Sequence, residues 1–397
     1  MNILLYIPFG KNAGGAYQYA CALLEILKAD QENKYFIYHK SNDDFINNFC
    51  KENNQFELVE QTNANKRAPN LMSKLLSVLV HKGKQHQGQR LTYFNWIKER
   101  YHIDIVHSVY QNIPRWDIDV PIVSTLHDVQ ELLFPQYFSP EKRAERAINR
   151  LNSVSKSSCI VVSYQHVKND IIKFFNIAPE RVKVILLSMS SLSILNHRPS
   201  KTIVGKAIHN YRDFILYPAS TWEHKNHINL IKSLCHIKKK YNTRINLVCT
   251  GDKKGFYEKI KEQVNQLDIQ DQVNFTGIID ESDLYCLYKT CRAVVIPTQY
   301  EAGSFPLMES MLLGVPVVCS NVTSLPETIG DKKFTFDPNS IEEISDSIYS
   351  IWSDKQFRDK NVENSEEKKK LILETEALES FISLYSNLLE AHCVAPQ

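Results

Sequence analysis

The sequence contains no run of eighteen apolar residues, so it offers no segment that could cross a bilayer as a single helix. It contains no Cys-x2-Cys pair. Its nine cysteines are scattered at 21, 50, 159, 235, 249, 286, 291, 319 and 393, several inside apolar strand-like runs. They read as buried reduced thiols of a cytosolic protein. An excess of one charge is also missing: 47 Lys and Arg stand against 45 Asp and Glu, a net charge of +2. That balance gives no reason to expect a nucleic-acid partner. No Gly-x-Gly-x-x-Gly follows the first strand, so a nicotinamide dinucleotide is not supported. No charged region or cleavage site precedes the apolar stretch Asn2 to Ile7, so no signal peptide is expected. Internal repeats are absent too.

What is present is an ordinary globular composition, 43% apolar and 23% charged, over 397 residues. That length suits two domains of about 180–200 residues each. Ile3-Leu4-Leu5-Tyr6-Ile7 is a continuous apolar run of the kind found in buried parallel strands. A helical pattern follows from Ala16 to Lys28, then further strands near 34–39, 103–107, 121–126, 158–162 and 182–187. The pattern restarts with Phe214-Ile215-Leu216-Tyr217. A helix over 225–240, a strand over 244–250 and a helix over 254–267 come next, then strands at 272–276, 293–296, 315–318 and 333–336. Alternating strands and helices predict parallel sheets covered on both faces. The polar stretch from Ser188 to Tyr211 reads as a linker, and one long helix is expected over 366–391.

The segment Tyr300-Glu301-Ala302-Gly303-Ser304-Phe305-Pro306-Leu307-Met308-Glu309 carries the strongest chemical signal. It follows an apolar strand and precedes Gly314-Val315-Pro316. Pro306 suits the start of a helix and Gly314 its end. The loop at 301–305 therefore sits over a helix N-terminus, where free N–H groups and a partial positive charge favour an anion. Glu301 in the loop and Glu309 one turn into the helix add two carboxylates. Hydroxyls and phosphates on one ligand, as in a nucleotide sugar, match that set.

Glu, seven residues, Glu, with a small-residue loop and Pro between, resembles the E-x7-E motif of family 4 of the retaining glycosyltransferases. The resemblance implies donor-sugar contacts for Glu301, ribose contacts for Glu309, and loop amides at Gly303, Ser304 and Phe305 touching sugar and diphosphate. It extends over most of the chain and implies an α/β, GT-B fold: two doubly wound Rossmann-like domains facing a cleft. Residues 1–190 would be the acceptor-side domain, 200–370 the nucleotide-sugar domain, and 371–397 a helix packing back on the first domain. The glycine pair Gly14-Gly15, after the first strand, resembles the family's loop facing acceptor and donor phosphates. His127-Asp128, at the end of a strand, resembles the histidine segment that faces the donor sugar. Lys225 matches a phosphate-binding Lys. Ser220 stands where the family usually has Arg, and either its hydroxyl or His224 is the replacement. Thr276-Gly277-Ile278 resembles the turn beside the nucleobase.

Two stretches read less specifically. Asp117-Ile118-Asp119 lies between prolines rather than at a strand end, so it reads as a surface loop, and no catalytic metal or other cofactor is expected. Residues 66–100 carry eight Lys and Arg against Glu99, beside Leu71, Leu75, Leu76 and Leu79 at helical spacing. Contact with an anionic membrane and a solvated basic helix face are equally good accounts. Together these features imply a cytoplasmic, metal-independent, retaining glycosyltransferase, or one at the inner face of the membrane. It would take a UDP- or GDP-sugar donor and a glycan or lipid-linked acceptor in cell-surface polysaccharide synthesis. A nucleotide-sugar 2-epimerase of similar fold and a non-catalytic sugar-binding protein are the alternatives.

Overall fold

The structure is a computed structural model that describes residues 1–10, 13–39, 43–60, 93–113, 118–189, 192–197 and 213–394. The first sheet has seven parallel strands: β1 (Asn2–Ile7), β2 (Lys34–His39), β3 (Phe56–Leu58), β4 (Ile105–Ser108), β5 (Ile122–Thr125), β6 (Cys159–Val162) and β7 (Val182–Val184). Their order across the sheet is β3-β2-β1-β4-β5-β6-β7. The second sheet has six: β8 (Phe214–Pro218), β9 (Asn246–Thr250), β10 (Val273–Gly277), β11 (Ala293–Ile296), β12 (Val317–Ser320) and β13 (Thr335–Phe336). Their order is β10-β9-β8-β11-β12-β13, again all parallel.

The apolar run of β1 shows why a parallel strand needs no polar alternation. Ile3, Leu5 and Ile7 enter one core cluster, while Leu4 and Tyr6 point the other way into a second. Both faces are covered, so both sets of side chains are apolar. Ile3 pairs in register with Ile105 of β4 and with Tyr35 of β2. In each sheet the strand order reverses beside the first strand, between β1 and β4 and between β8 and β11. Such a reversal leaves a crevice at the carboxyl ends of the strands.

Two expectations need correction, and two elements were not foreseen. Strand β3 and the helix Asp44–Glu52 had no clear sequence signature. The stretch read as a linker is partly core: Leu192 and Ile194 are buried, and Met189 N donates to the Ile372 carbonyl at 3.0 Å. Residues 190–191 and 198–211 of it lie outside the described residues. The single helix expected over 366–391 is two helices, Lys355–Leu373 and Ala377–Val394, broken at Glu374. The break has a packing reason. The first of the two is pinned to the second sheet, where Asn361 accepts from Val317 N and donates to its carbonyl, both at 2.8 Å. The second must reach the first sheet. There Tyr385 and Phe381 bury against His107 on β4.

His107 is fully buried, with Nδ1 2.7 Å from the Tyr385 hydroxyl and Nε2 2.9 Å from Thr125 Oγ1. Burial pushes its pKa down to about 3, so the ring is neutral and both nitrogens are hydrogen-bonded. Tyr385→Phe keeps the ring but leaves Nδ1 unpaired in the core. We expect a loss of about 1–3 kcal/mol in stability by urea denaturation. An unchanged midpoint would show that this bond does not hold the terminal helix in place.

Candidate active site

The two crevices face each other across a cavity of about 690 Å³. Ten of the twelve site residues expected from the sequence line it: Gly15, His127, Ser220, Lys225, Ile278, Glu301, Gly303, Ser304, Phe305 and Glu309. Gly14 and His224 do not. The first sheet contributes the ends of β4 and β5 and the helix Gly15–Leu27, and the second contributes the turns after β8, β9, β10 and β11.

The loop after β11 is fixed before the helix Phe305–Leu312 begins. Glu301 N donates to Thr323 Oγ1 at 3.1 Å, and Ser324 Oγ donates to the Glu301 carbonyl at 3.2 Å. Ser304 is the N-cap, its hydroxyl oxygen accepting from Leu307 N at 3.4 Å. One of its two lone pairs is thus used by the helix, and its hydroxyl proton remains to be donated. Pro306 occupies the first turn and Gly314, with φ 68°, follows the end.

The turn after β8 is equally pinned. Glu223–Lys225 is a single 3-10 turn, and the helix starts only at His227. Asn226, with φ 61°, donates from Nδ2 to the carbonyls of Pro297 at 2.9 Å and Pro338 at 2.8 Å. The Tyr217 hydroxyl holds the Lys225 carbonyl at 2.8 Å. Lys225 Nζ is thereby aimed at Glu301 Oε2, 2.5 Å away. The cation expected on the diphosphate and the carboxylate expected on the sugar form one ion pair. Gly251 lets the neighbouring loop approach: with φ 107°, its Cβ position lies 2.7 Å from the Ala219 carbonyl carbon and 2.8 Å from Ser220 N.

The remaining charges are also compensated. Asp128 accepts from Arg146 at 2.7 Å and lies 3.3 Å from Arg150 Nη2. Glu131 accepts from Arg146 Nε at 2.8 Å. This cluster went unread in the sequence, although Arg146 and Arg150 share one face of the helix Pro140–Lys156 four residues apart. His127 lies edge-on to the Tyr19 ring at 4.9 Å, and its buried Nε2 has no partner. Burial pushes its pKa down to about 4, so it meets a ligand neutral. His224 is pushed down to about 3, first by burial and then by Lys225, and its ring lies 6.0 Å from that of Tyr137. Its ring is thus neutral and stands outside the residues that line the cavity.

Other expectations fall elsewhere. Residues 66–92 of the basic stretch and Asp117 lie outside the described residues. Among the described residues, no helix is long and apolar enough to cross a membrane. Tyr19, Gln111, Tyr164 and Trp222 line the cavity without having been singled out in the sequence. Tyr19, Gln111 and Tyr164 are single aromatic or amide residues with no motif around them, and Trp222 lies between Ser220 and His224 without a role of its own in the resemblance.

Glu309 is buried, and the Tyr288 hydroxyl donates to its Oε2 at 2.6 Å. Burial raises its pKa from 4.5 to about 7, against the lowering effect of that bond. Between pH 4.5 and 7 the folded protein therefore holds a proton that the unfolded chain has lost. Stability should fall as pH rises through this window and level off above it. Glu309→Gln should flatten that slope in urea denaturation at successive pH values. An unchanged slope would mean that Glu309 is ionised throughout.

Residues 201–368 match the protein family described as Glycosyl transferases group 1. O-antigen chain mannosyltransferase B of Escherichia coli is 27% identical over 239 residues, 60% of this chain and 62% of its own length. An uncharacterized glycosyltransferase of Methanocaldococcus jannaschii, MJ1607, is 26% identical over 252 residues, 60% of this chain and 62% of its own. The chain thus matches about three fifths of the length of these curated relatives. Among solved structures, Anabaena Alr3699/HepE with UDP and glucose superposes with a TM-score of 0.68 at 18% identity, covering 98% of this chain and 100% of the other. Sucrose-phosphate synthase of Thermosynechococcus elongatus gives a TM-score of 0.71 at 17% identity, with the same coverage of 98% and 100%. Two parallel-sheet domains with their strand ends facing one cavity, superposing over nearly their whole length on glycosyltransferases, establish the GT-B fold.

Proposed function

We propose that the protein is a retaining glycosyltransferase of family 4 that uses a nucleotide-diphosphate sugar without a metal ion. The observation that carries this reading is the pinned loop at 301–305. It sets Glu301 and Glu309 on either side of a helix N-terminus inside the cavity between the domains. Relatives named as mannosyltransferases, and a structural neighbour holding UDP and glucose, support a hexosyl donor. The O-antigen names support a glycan or lipid-linked acceptor in cell-surface polysaccharide synthesis. Transferase names among the relatives favour transfer over 2-epimerisation.

In this reading the donor lies on the second domain. Ribose hydroxyls donate to Glu309, and its pKa drops as they do, so nucleotide binding near neutral pH releases a proton. Sugar hydroxyls donate to the oxygen of Glu301 that Lys225 leaves free. The base lies by Ile278, and the diphosphate meets Lys225 and the amides of residues 303–305. As the glycosidic bond breaks, charge grows on the diphosphate, and preorganised donors stabilise it. The acceptor hydroxyl is held on the same face by the first domain and passes its proton to a diphosphate oxygen. No protein nucleophile is needed, and closure of the cleft excludes water.

Two measurements test this. UDP or GDP, in EDTA, should raise the melting temperature. At one hundred times its dissociation constant, the ligand would contribute about 2.7 kcal/mol. A wild-type protein indifferent to both nucleotides, or responding only with Mg²⁺, would refute the metal-free donor site. Lys225→Ala should lower turnover about 10²–10³-fold, since the charge it meets develops in the transition state. Near-normal turnover would make the Lys225–Glu301 pair merely structural.

A further inference from the structure

The loop that carries Glu301 does not face solvent on its outer side. It faces the first domain. Tyr164, the residue before the helix Gln165–Phe175, is buried with its ring against Gly303. A Cβ at Gly303 would lie 2.7 Å from Tyr164 Cε2 and 3.4 Å from its Cζ. A carbon–carbon approach of 2.7 Å is well inside van der Waals contact, so the position admits no side chain while the ring is there. Gly303 does not have the left-handed backbone that would otherwise demand glycine. Its glycine is accounted for by the ring above it.

Neighbouring contacts hold the same loop from the same side. A Cβ at Gly15, on the first domain, would stand 3.5 Å from the Phe305 ring. The Tyr164 hydroxyl lies 3.8 Å from Met308 Sδ, and Gln165 N donates to Glu327 Oε2 at 3.2 Å. The Tyr137 hydroxyl donates to Gln299 Oε1, and Phe134 lies edge-on to Tyr300 at 5.7 Å. Apart from the one to Glu327, on the neighbouring helix Leu325–Ile329, these contacts run from Gln299 to Met308, along the segment whose amides and carboxylates form the donor half of the cavity.

We infer that Tyr164 is a positioning residue for the donor site: its ring, laid on Gly303, fixes the 301–305 loop, so the first domain completes a site whose ligand-contacting groups belong to the second. This rests on the nucleotide-sugar reading of that loop. The consequence is a coupling between closure and donor binding. With the domains apart, the loop loses the surface that sets Gly303, and the amides of 303–305 are no longer aimed. A donor that orders the loop favours the closed arrangement by the same free energy with which closure favours the donor.

The test is a double-mutant cycle on Gly303→Ala and Tyr164→Leu. It is read as the dissociation constant for UDP or GDP, whichever binds, and as KM and turnover for the corresponding nucleotide sugar. Gly303→Ala should weaken nucleotide binding by about tenfold or more, and Tyr164→Leu alone by a few-fold, with KM for the donor rising in both. In the double mutant the new methyl has room, and most of the Gly303→Ala loss should be recovered. Tyr164→Phe keeps the ring and should behave as wild type. Intact wild-type binding with losses that simply multiply in the double mutant would overturn the inference and leave the nucleotide-sugar reading standing. A wild-type protein that binds neither nucleotide would overturn both.

Discussion

Parallel strands emerge at one edge, and everything functional in this molecule follows from that. A parallel sheet must return each chain through a crossover on its faces, so the turns after the strands collect at the carboxyl edge. Where strand order reverses, beside β1 and beside β8, adjacent turns diverge and leave a crevice. Two such sheets with crevices face to face make a cavity whose walls are mainly the turns after the strands, with core residues such as Tyr217 and Ile296 at its floor. Most core residues of β1, β8 and β11 stay clear of the cavity, and only Tyr217, Pro218 and Ile296, at the carboxyl ends of β8 and β11, reach its wall. They decide where Gly15, Lys225 and Glu301 stand.

Inside that cavity the charges are balanced before any ligand arrives. Lys225 is paired with Glu301, Asp128 is held by Arg146 and Arg150, and burial favours a protonated Glu309 as pH falls below about 7. A buried unpaired charge would cost several kcal/mol, so each of these charges needs the partner it has. On the proposed reading, this balance also accounts for a dianionic ligand being accepted with few cations. The diphosphate need not be neutralised by a row of arginines if it meets one lysine, a helix N-terminus and a carboxyl that can hold its proton. Of the two candidates for the missing arginine, Ser220 lines the cavity, while the His224 ring is neutral and 6.0 Å from that of Tyr137.

The parts of the fold legible in the sequence were those set by local pattern. Buried parallel strands announce themselves as apolar runs: β1, β2 and β11 were placed to the residue, and the others within a few. Strand β3 is three residues long at a sheet edge and carries Glu57 between Phe56 and Leu58, too little for a pattern to show. The helix break at Glu374 could not be read because nothing local demands it. Lys355–Leu373 must serve the second sheet and Ala377–Val394 the first, a requirement set by tertiary contacts. The candidate site divides the same way. Residues in strand-to-helix turns with Gly, Pro or paired carboxylates were legible. Tyr164, Tyr19 and Gln111 were not, since what marks them is the space they border.

Gly303 shows how the two kinds of information meet. From the sequence it is a glycine in a loop near a helix start, and the ordinary expectation is that such a glycine supplies a left-handed turn or lets the backbone approach a phosphate. The backbone at Gly251 and Gly314 has positive φ, and there the ordinary reason holds. At Gly303 the constraint comes from the side facing away from the strand ends of its own sheet, through a tyrosine 139 positions earlier in the chain and on the other domain. The residue that most sharply defines the donor loop thus has its cause in the first domain. A site assembled this way is complete only when both domains are in place. On the proposed reading, this arrangement keeps an activated donor from water until the acceptor is seated.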